Sequence, residues 1–195
     1  MLVLTPAPRP WGALVAGALA FVLGAGAAAA QAVATPACAS NGDVSVSALS
    51  REWILVGWER KAGDGPLNFR EKLGRFYDWS ASDVVLYDDF DPQHRVVRSP
   101  AEYGAIWEPG FSALKTAHHR LLSGPFVLAS GNLAVATFQW AARLEGRDGK
   151  VTGLRSFSTL TWRCTGDDWK IVREHNSSVV LPADQVDATM ASGRD

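Results

Sequence analysis

The chain has 195 residues, of which 47% are hydrophobic and 20% are charged, and its formal net charge is −1 at pH 7. This composition is ordinary for a globular protein. The sequence has no basic run and no interleaving of basic and aromatic residues, which argues against a nucleic-acid partner. It also lacks a phosphate loop, a dinucleotide fingerprint, a nucleophile elbow and a Cys-x-x-Cys motif, so no cofactor is expected.

The N-terminal segment is typical of an export signal. Arg9 precedes an apolar run from Ala13 to Ala30, and Ala30-Gln31-Ala32 offers a cleavage site between small residues. We therefore predict a signal peptide over residues 1–32 and an exported protein, periplasmic or secreted, with no membrane contact after cleavage. An uncleaved membrane anchor is the alternative. Cleavage would leave about 163 residues, the length of one domain.

The first half of the mature chain alternates helical and extended patterns. After an arm over residues 33–46, which we expect to be flexible, a domain over residues 47–181 begins with a helix that Ser45 or Ser47 can cap. A second helix places Phe69, Leu73, Phe76 and Tyr77 at helical spacing. A strand then runs through Val84-Val85-Leu86-Tyr87 into an acidic turn, and Val96-Val97 form its return arm.

A capping box opens the third helix. Ser99 can cap the helix, Pro100 occupies its first position, and Glu102 stands three residues after the cap. We expect this helix to end near Pro109-Gly110, a shorter helical piece to follow from Phe111 to Lys115, and then a strand from His119 to Ala129. The segment from Asn132 to Val180 then reads as three strands separated by the turn sequences GRDGK and TGDD. Residues 182–195 are predicted to be a disordered tail.

This order of elements predicts an α+β fold, with three helices packed on the concave face of a strongly bent antiparallel sheet. The order, the acidic turn after the first strand and the ending Trp169-Lys170-Ile171-Val172-x-x-His175-x-Ser177 resemble the SnoaL-like branch of the nuclear transport factor 2-like superfamily. Ketosteroid isomerases, polyketide cyclases and the association domain of calcium/calmodulin-dependent kinase II share this cone-shaped fold. The resemblance covers about residues 47–180.

The resemblance implies one catalytic candidate. In the isomerases a general-base aspartate ends the first strand, and that position falls on Asp88, for which a solvated turn aspartate is the alternative. The isomerases also need a tyrosine and a neutral aspartic acid as oxyanion donors. Those positions fall on Val56 and near Leu160, beside Ser158, and so argue against steroid isomerisation.

The faces of the last strand depend on the length of the preceding turn. A four-residue turn pairs Cys164 with Trp169, whereas a five-residue turn pairs Leu160 with Glu174 and Ser158 with Asn176. Relatives with this ending direct the alternation that includes Val172, Glu174 and Asn176 inward, and Trp169, Ile171, Arg173 and His175 outward. The implied pocket has aromatic and aliphatic walls and a few polar groups, formed by Trp53, Tyr103, Trp107, Phe138, Trp140, Ser158, Leu160, Glu174 and Asn176.

Two cysteines remain after cleavage, Cys38 and Cys164. In an oxidising compartment they can form a disulfide, and two free cysteines are the alternative. No metal site is expected, since His118 and His119 are adjacent and would point to opposite faces of a strand. Apolar residues on both faces near Leu133, together with the outward Trp169 and Ile171, predict a homodimer.

These observations predict an exported domain that binds a small apolar or amphipathic ligand in a cone-shaped pocket. Because the isomerase oxyanion donors are missing, a non-catalytic ligand-binding or dimerisation module is preferred. The alternative is an acid–base enzyme of the cyclase, isomerase or hydratase type that uses Asp88.

Overall fold

A computed structural model describes residues 38–195 of the chain. The predicted signal peptide, residues 1–32, lies outside the described residues. Between Cys38 and Asp195, none of the helices has the length and the apolar character needed to cross a membrane.

Side-chain caps begin the helices of the first half. Ser45 accepts a hydrogen bond from the Ala48 amide, Asn68 from the Glu71 amide, and Ser99 from the Glu102 amide. The α-helices of this half are α1 (Val46–Glu52), α2 (Phe69–Leu73) and α3 (Pro100–Ala113). A π-turn (Trp53–Gly57) extends α1, and a 3₁₀ turn (Gly74–Phe76) extends α2.

Helix α3 does not end at Pro109-Gly110 as predicted. It continues to Ala113, with Pro109 inside it. A proline removes one backbone hydrogen bond from a helix but does not force its end. Phe111, in the last turn, packs against Trp58 with ring centroids 5.5 Å apart. Tertiary packing of the last turn thus accounts for the additional helical residues.

One curved sheet of six strands forms the other layer of the fold. The strand order is β2-β1-β6-β5-β4-β3. The strands are β1 (Val85–Asp88), β2 (Val96–Val97), β3 (Leu114–Ser130), β4 (Leu133–Gly146), β5 (Val151–Thr165) and β6 (Asp168–Leu181). The α+β class and the strong curvature agree with the prediction, but the sheet is mixed, because β1 pairs with β6 in parallel. A long connection through α3 and four strands separates these neighbours and permits the parallel pairing.

A β-bulge in β6 combines the two registers that the sequence left open. Next to the turn, Cys164 lies opposite Trp169, and Trp162 lies opposite Ile171. Beyond the bulge, Thr161 lies opposite Arg173 and Leu160 opposite Glu174. Val172 is therefore the extra residue, and each predicted register holds on one side of it.

The bulge overturns part of the predicted face assignment. Glu174 and Asn176 are buried and His175 is exposed, as expected. Trp169 and Ile171 are also buried, at 5% and 0% exposure, although they were expected to point outward. One extra residue reverses the alternation, so inward positions on the two sides of Val172 differ in parity.

The described part of the N-terminal arm, residues 38–46, is attached to the sheet rather than free. Cys38 and Cys164 form a disulfide, with their Cα atoms 5.8 Å apart. The indole nitrogen of Trp169 donates a hydrogen bond to the backbone oxygen of Ala39, at 2.8 Å. Of the two alternatives for the cysteines, the structure has the bridge.

The predicted disordered tail, residues 182–195, is folded. It forms a 3₁₀ turn (Ala183–Gln185) and helix α4 (Val186–Ser192), which brings the number of α-helices to four among the described residues. Val186 is buried at 2% exposure. A Cβ placed on Gly153 would clash with Val186 Cγ2, so the valine packs directly on the backbone of β5. Backbone pairing of Arg194 with Leu121 also holds the segment on β3, and the short polar pattern of the sequence gave no sign of either contact.

Candidate functional site

The sheet and the helices enclose a cavity of about 280 Å³. Aliphatic side chains from β4 and β5, among them Leu144 and Leu154, form part of its wall. Its polar lining is limited to Asp88, His119, Thr152, Asn176 and Ser178. The size is close to the lower end for small-molecule sites, and the pattern of an apolar wall with few polar groups is typical of them. Six aromatic residues line it: Trp53, Trp58, Phe90, Trp107, Phe111 and Trp140.

The π-turn after α1 directs two tryptophans toward this cavity. The Trp58 amide donates to the Trp53 carbonyl at 3.2 Å, a bond that spans five residues. Residues five apart point in different directions on a regular α-helix, whereas a wider turn brings them closer to alignment. The two rings meet edge to face, with centroids 6.2 Å apart.

Asp88, the last residue of β1, lines the cavity together with Asn176. Its Oδ1 accepts a hydrogen bond from the Phe90 amide at 2.9 Å, and its Oδ2 accepts one from Asn176 Nδ2 at 3.0 Å. Burial raises the pKa of Asp88 to about 6, even though these two hydrogen bonds favour the ionised form. Asp88 is thus a carboxylate at neutral pH, with a basicity well above that of a solvated aspartate.

A second carboxyl group, Glu174, lies behind Asn176 and does not line the cavity. The hydroxyls of Tyr77 and Tyr103 both donate to it, each at 2.7 Å. Asn176 Nδ2 also donates to Glu174, at 2.8 Å, and so connects it to Asp88. Burial raises the pKa of Glu174 to about 7, and the neighbouring Asp88 charge acts in the same direction.

Further hydrogen bonds fix this polar group in place. The Trp53 indole donates to the Tyr77 hydroxyl at 2.9 Å. On the other side, the Trp140 indole donates to Ser158 Oγ at 2.8 Å, and Ser158 donates to Asn176 Oδ1 at 2.6 Å. The amide of Asn176 is therefore held from both ends, and its orientation toward Asp88 is determined by the protein.

His119, on β3, faces Trp140 at the cavity wall, with ring centroids 5.5 Å apart. It is 4% exposed, and its Nδ1 atom is buried without a hydrogen-bond partner in residues 38–195. Burial lowers its pKa, although Glu59, 3.8 Å from Nδ1, opposes the shift. His119 is therefore neutral at neutral pH.

The structure separates the predicted pocket residues into two groups. Five line the cavity: Trp53, Asp88, Trp107, Trp140 and Asn176. The others, Tyr103, Phe138, Ser158, Leu160 and Glu174, are buried around it but do not line it. Val56, at the isomerase tyrosine position, is 59% exposed. In the part of the chain that is described, no cluster of His, Cys, Asp and Glu side chains could hold a metal ion.

Sequence reasoning missed several lining residues and one tyrosine. Trp58 was missed because an α-helical period was assumed where the π-turn occurs. Phe111 was missed as a lining residue because it was assigned to a separate helical piece after Pro109-Gly110, whereas it belongs to the last turn of α3. Tyr77 was assigned to a helix face, and only the fold shows that its hydroxyl meets Glu174. The spacing of Trp53 and Trp58 beside Gly57 was the one available signal.

A curved sheet with helices packed around an aromatic cavity agrees with the predicted cone-shaped fold. The family model for the SnoaL-like domain matches residues 75–182, more than half of the chain. The chain therefore belongs to the SnoaL-like domain family. None of the curated proteins compared with this sequence matches it.

Solved structures in the nuclear transport factor 2-like superfamily are similar to this chain. A superfamily member from Salmonella enterica is 18% identical. The aligned region covers 53% of this chain and 72% of the Salmonella chain, and the TM-score is 0.46. The association domain of C. elegans CaMKII is 15% identical, with 55% and 78% covered and a TM-score of 0.43. A conserved protein from Planctomyces limnophilus is 17% identical, with 57% and 82% covered and a TM-score of 0.47.

Proposed function

We propose that this domain binds one small, largely apolar or amphipathic molecule in the aromatic cavity. The observation that carries the proposal is the arrangement of six aromatic side chains around about 280 Å³, with Asp88 and Asn176 among the few polar groups. Packing such a volume with a ligand would remove apolar surface from water, while the polar groups would orient the ligand.

The hydrogen bonds around Glu174 favour binding over catalysis. An enzyme that stabilises an oxyanion needs donors aimed at the reacting atom. The hydroxyls of Tyr77 and Tyr103 donate to Glu174 instead, and Asn176 Nδ2 is shared between Glu174 and Asp88. These donors are engaged within the protein, which supports a non-catalytic ligand-binding module.

Native mass spectrometry of the protein as purified from its own host tests the proposal. We expect a fraction of the molecules to carry a bound small molecule that is released on denaturation. Trp140→Ala should reduce the bound fraction, because it removes an aromatic wall. Val56→Ala, on the exposed surface, is the matched control. Protein that never carries a ligand and takes up none from an extract of the host would contradict the proposal.

A second candidate, an acid–base enzyme of the cyclase, isomerase or hydratase type, is favoured by one observation. The pKa of Asp88 is raised to about 6, in the range that suits a general base at neutral pH. Asp88→Asn should then lower turnover by a factor of roughly 10² to 10⁴ and change ligand affinity far less. If the domain only binds, the same variant changes affinity and there is no turnover to lose.

We also propose that the chain is exported and cleaved near Ala32. The support is the composition of residues 1–32, an apolar run between Arg9 and a small-residue cleavage site. A disulfide in the domain agrees with an oxidising compartment. N-terminal sequencing of protein from the native host should give a chain beginning near Val33. An intact Met1 on cytoplasmic protein would refute the export proposal.

A further inference from the structure

The charges at the aromatic cavity are unbalanced. Asp88 is ionised at neutral pH, whereas His119, which also lines the cavity, is neutral. In residues 38–195, no lysine or arginine lines the cavity. A carboxylate at an apolar cavity without a cation is costly in free energy, and a ligand can supply the missing charge.

We propose that the ligand is an organic cation. It would be an amine or ammonium compound about the size of one aromatic ring with a short chain, and its charged end would lie against Asp88. Its apolar part would pack among the indole rings of the cavity. This inference rests on the ligand-binding function proposed above and narrows it to one chemical class.

The hydrogen bonding of Asp88 leaves room for such a ligand. Each carboxylate oxygen accepts one hydrogen bond, from the Phe90 amide and from Asn176. A carboxylate has about four acceptor positions, so about two remain for a ligand N–H. Oδ2 of Asp88 is oriented by an amide that is itself fixed by Ser158, so the acceptor is preorganised.

The cavity wall favours the same class. The faces of tryptophan rings carry a partial negative charge and attract cations, more strongly when water is excluded. Four tryptophans line the cavity: Trp53, Trp58, Trp107 and Trp140. A carboxylate ligand of the same shape would be repelled by Asp88. A neutral alcohol could enter but would leave the charge of Asp88 unpaired.

Three probes of similar shape test the charge preference: 2-phenylethylamine, 2-phenylethanol and 3-phenylpropanoate. Binding at pH 7.5 is followed by quenching of tryptophan fluorescence and by the shift in melting temperature. We expect the amine to bind at least roughly tenfold more tightly than the alcohol, and the carboxylate to bind more weakly than both.

Asp88→Asn should reduce the affinity for the amine by at least roughly tenfold and leave the affinity for the alcohol within about threefold. The matched control is Asp89→Asn, which makes the same charge change one residue away. The Asp89 carboxylate accepts from the Ser178 amide and the Ser177 hydroxyl, and it does not line the cavity. The control should keep the preference for the amine.

The pH dependence follows from the groups that face Asp88. They include tyrosines and carboxyl groups. The groups are Tyr77, Tyr103 on α3, Glu174 on β6, Asp89 and the Asp91–Arg95 ion pair in the following turn, and His119 at the cavity wall. Protonation of Asp88 below about pH 6 removes the partner of the cation. The affinity for the amine should therefore fall roughly tenfold between pH 7.5 and pH 5, while that for the alcohol stays nearly constant.

The outcomes separate this inference from the proposed function. Equal binding of the amine and the alcohol would overturn the cation class and leave a small-molecule cavity. An Asp88→Asn variant that keeps both its fold, judged by melting temperature, and its preference for the amine would overturn it as well. If no probe binds and native mass spectrometry finds no ligand, the proposed function itself fails.

Discussion

Glu174 is held in the interior by two tyrosine hydroxyls and one amide, and its pKa is raised to about 7 from the ordinary 4.5. Between pH 4.5 and 7 the unfolded chain loses this proton while the folded chain keeps it. The contribution of Glu174 to stability is therefore greatest below pH 4.5 and decreases as the pH rises to 7. The total decrease is roughly 3 kcal/mol.

Glu174→Gln removes this titration and keeps the shape of the side chain. We expect the wild type to lose roughly 3 kcal/mol of stability relative to the variant between pH 4.5 and pH 7.5, measured by urea unfolding. Taking the difference between the two proteins cancels His119, which titrates in both. A stability difference that does not change with pH would show that Glu174 titrates normally.

Asp88 gives a direct spectroscopic prediction at the same scale. Because burial raises its pKa to about 6, an NMR titration of its carboxyl carbon should show a midpoint near pH 6. Asp91 is the internal control, since the hydrogen-bonded ion pair with Arg95 holds its pKa well below the ordinary value. An Asp88 midpoint of about 3.9 would identify a solvated turn residue and end the catalytic hypothesis for Asp88.

At the scale of the element, two glycines of α3 differ in the space available for a side chain. A Cβ on Gly104 would lie 2.9 Å from three atoms of Phe69, whereas nothing lies within 4 Å of a Cβ on Gly110. Gly104→Ala should therefore destabilise the fold by roughly 1–3 kcal/mol through overpacking against α2.

Gly110→Ala should stabilise the fold, the opposite of the effect expected for Gly104→Ala. Alanine favours a helix over glycine by up to about 1 kcal/mol, and here it meets no neighbour. Thermal unfolding of the two variants measures the difference. Similar melting temperatures for both would contradict the close packing of α3 on α2.

The disulfide belongs to the same scale, because it joins the N-terminal arm to β5. It links residues 126 positions apart, and a loop of that length corresponds to a chain-entropy stabilisation of roughly 4–5 kcal/mol as an upper bound. A reducing agent should lower the melting temperature of the wild type. It should have no effect on the Cys38→Ser/Cys164→Ser double variant, whose melting temperature should already be low. Two alkylatable thiols in freshly isolated protein would contradict the bridge.

At the scale of the whole molecule, the outer face of the sheet is consistent with the predicted homodimer. The exposed apolar residues on that face differ from those that the sequence suggested. Trp169 and Ile171 are buried inside the domain. Strand pairing instead puts Phe126, Leu128 and Phe157 on the outer face, at 67%, 78% and 45% exposure. Exposed apolar side chains of this size on one face are typical of a protein–protein interface.

We expect light scattering at micromolar concentration to give a dimer. Phe157→Glu should weaken it by at least roughly tenfold, because a charge would be buried in both copies of the interface. Val56→Glu, on the helical side of the domain, is the matched control and should leave the dimer intact. A wild-type monomer would refute the proposal.

The sequence by itself determined the order of elements, the family and five of the residues that line the cavity. Local signals were sufficient for these: the capping box at Ser99, the acidic turn after β1, and the hairpin turns of the last three strands. The choice of Asp88 at the end of its strand came from the resemblance to the isomerases.

Only the tertiary structure decided which side chains meet. The extra residue at Val172 reverses the parity of β6, so that Trp169 and Glu174 both point inward, and no local pattern marks it. The π-turn turns Trp58 toward the cavity, and one buried valine docks the C-terminal helix. Each of these features buries side chains against residues that are far apart in the sequence. The physical reason for it is therefore tertiary packing, which local sequence patterns do not encode.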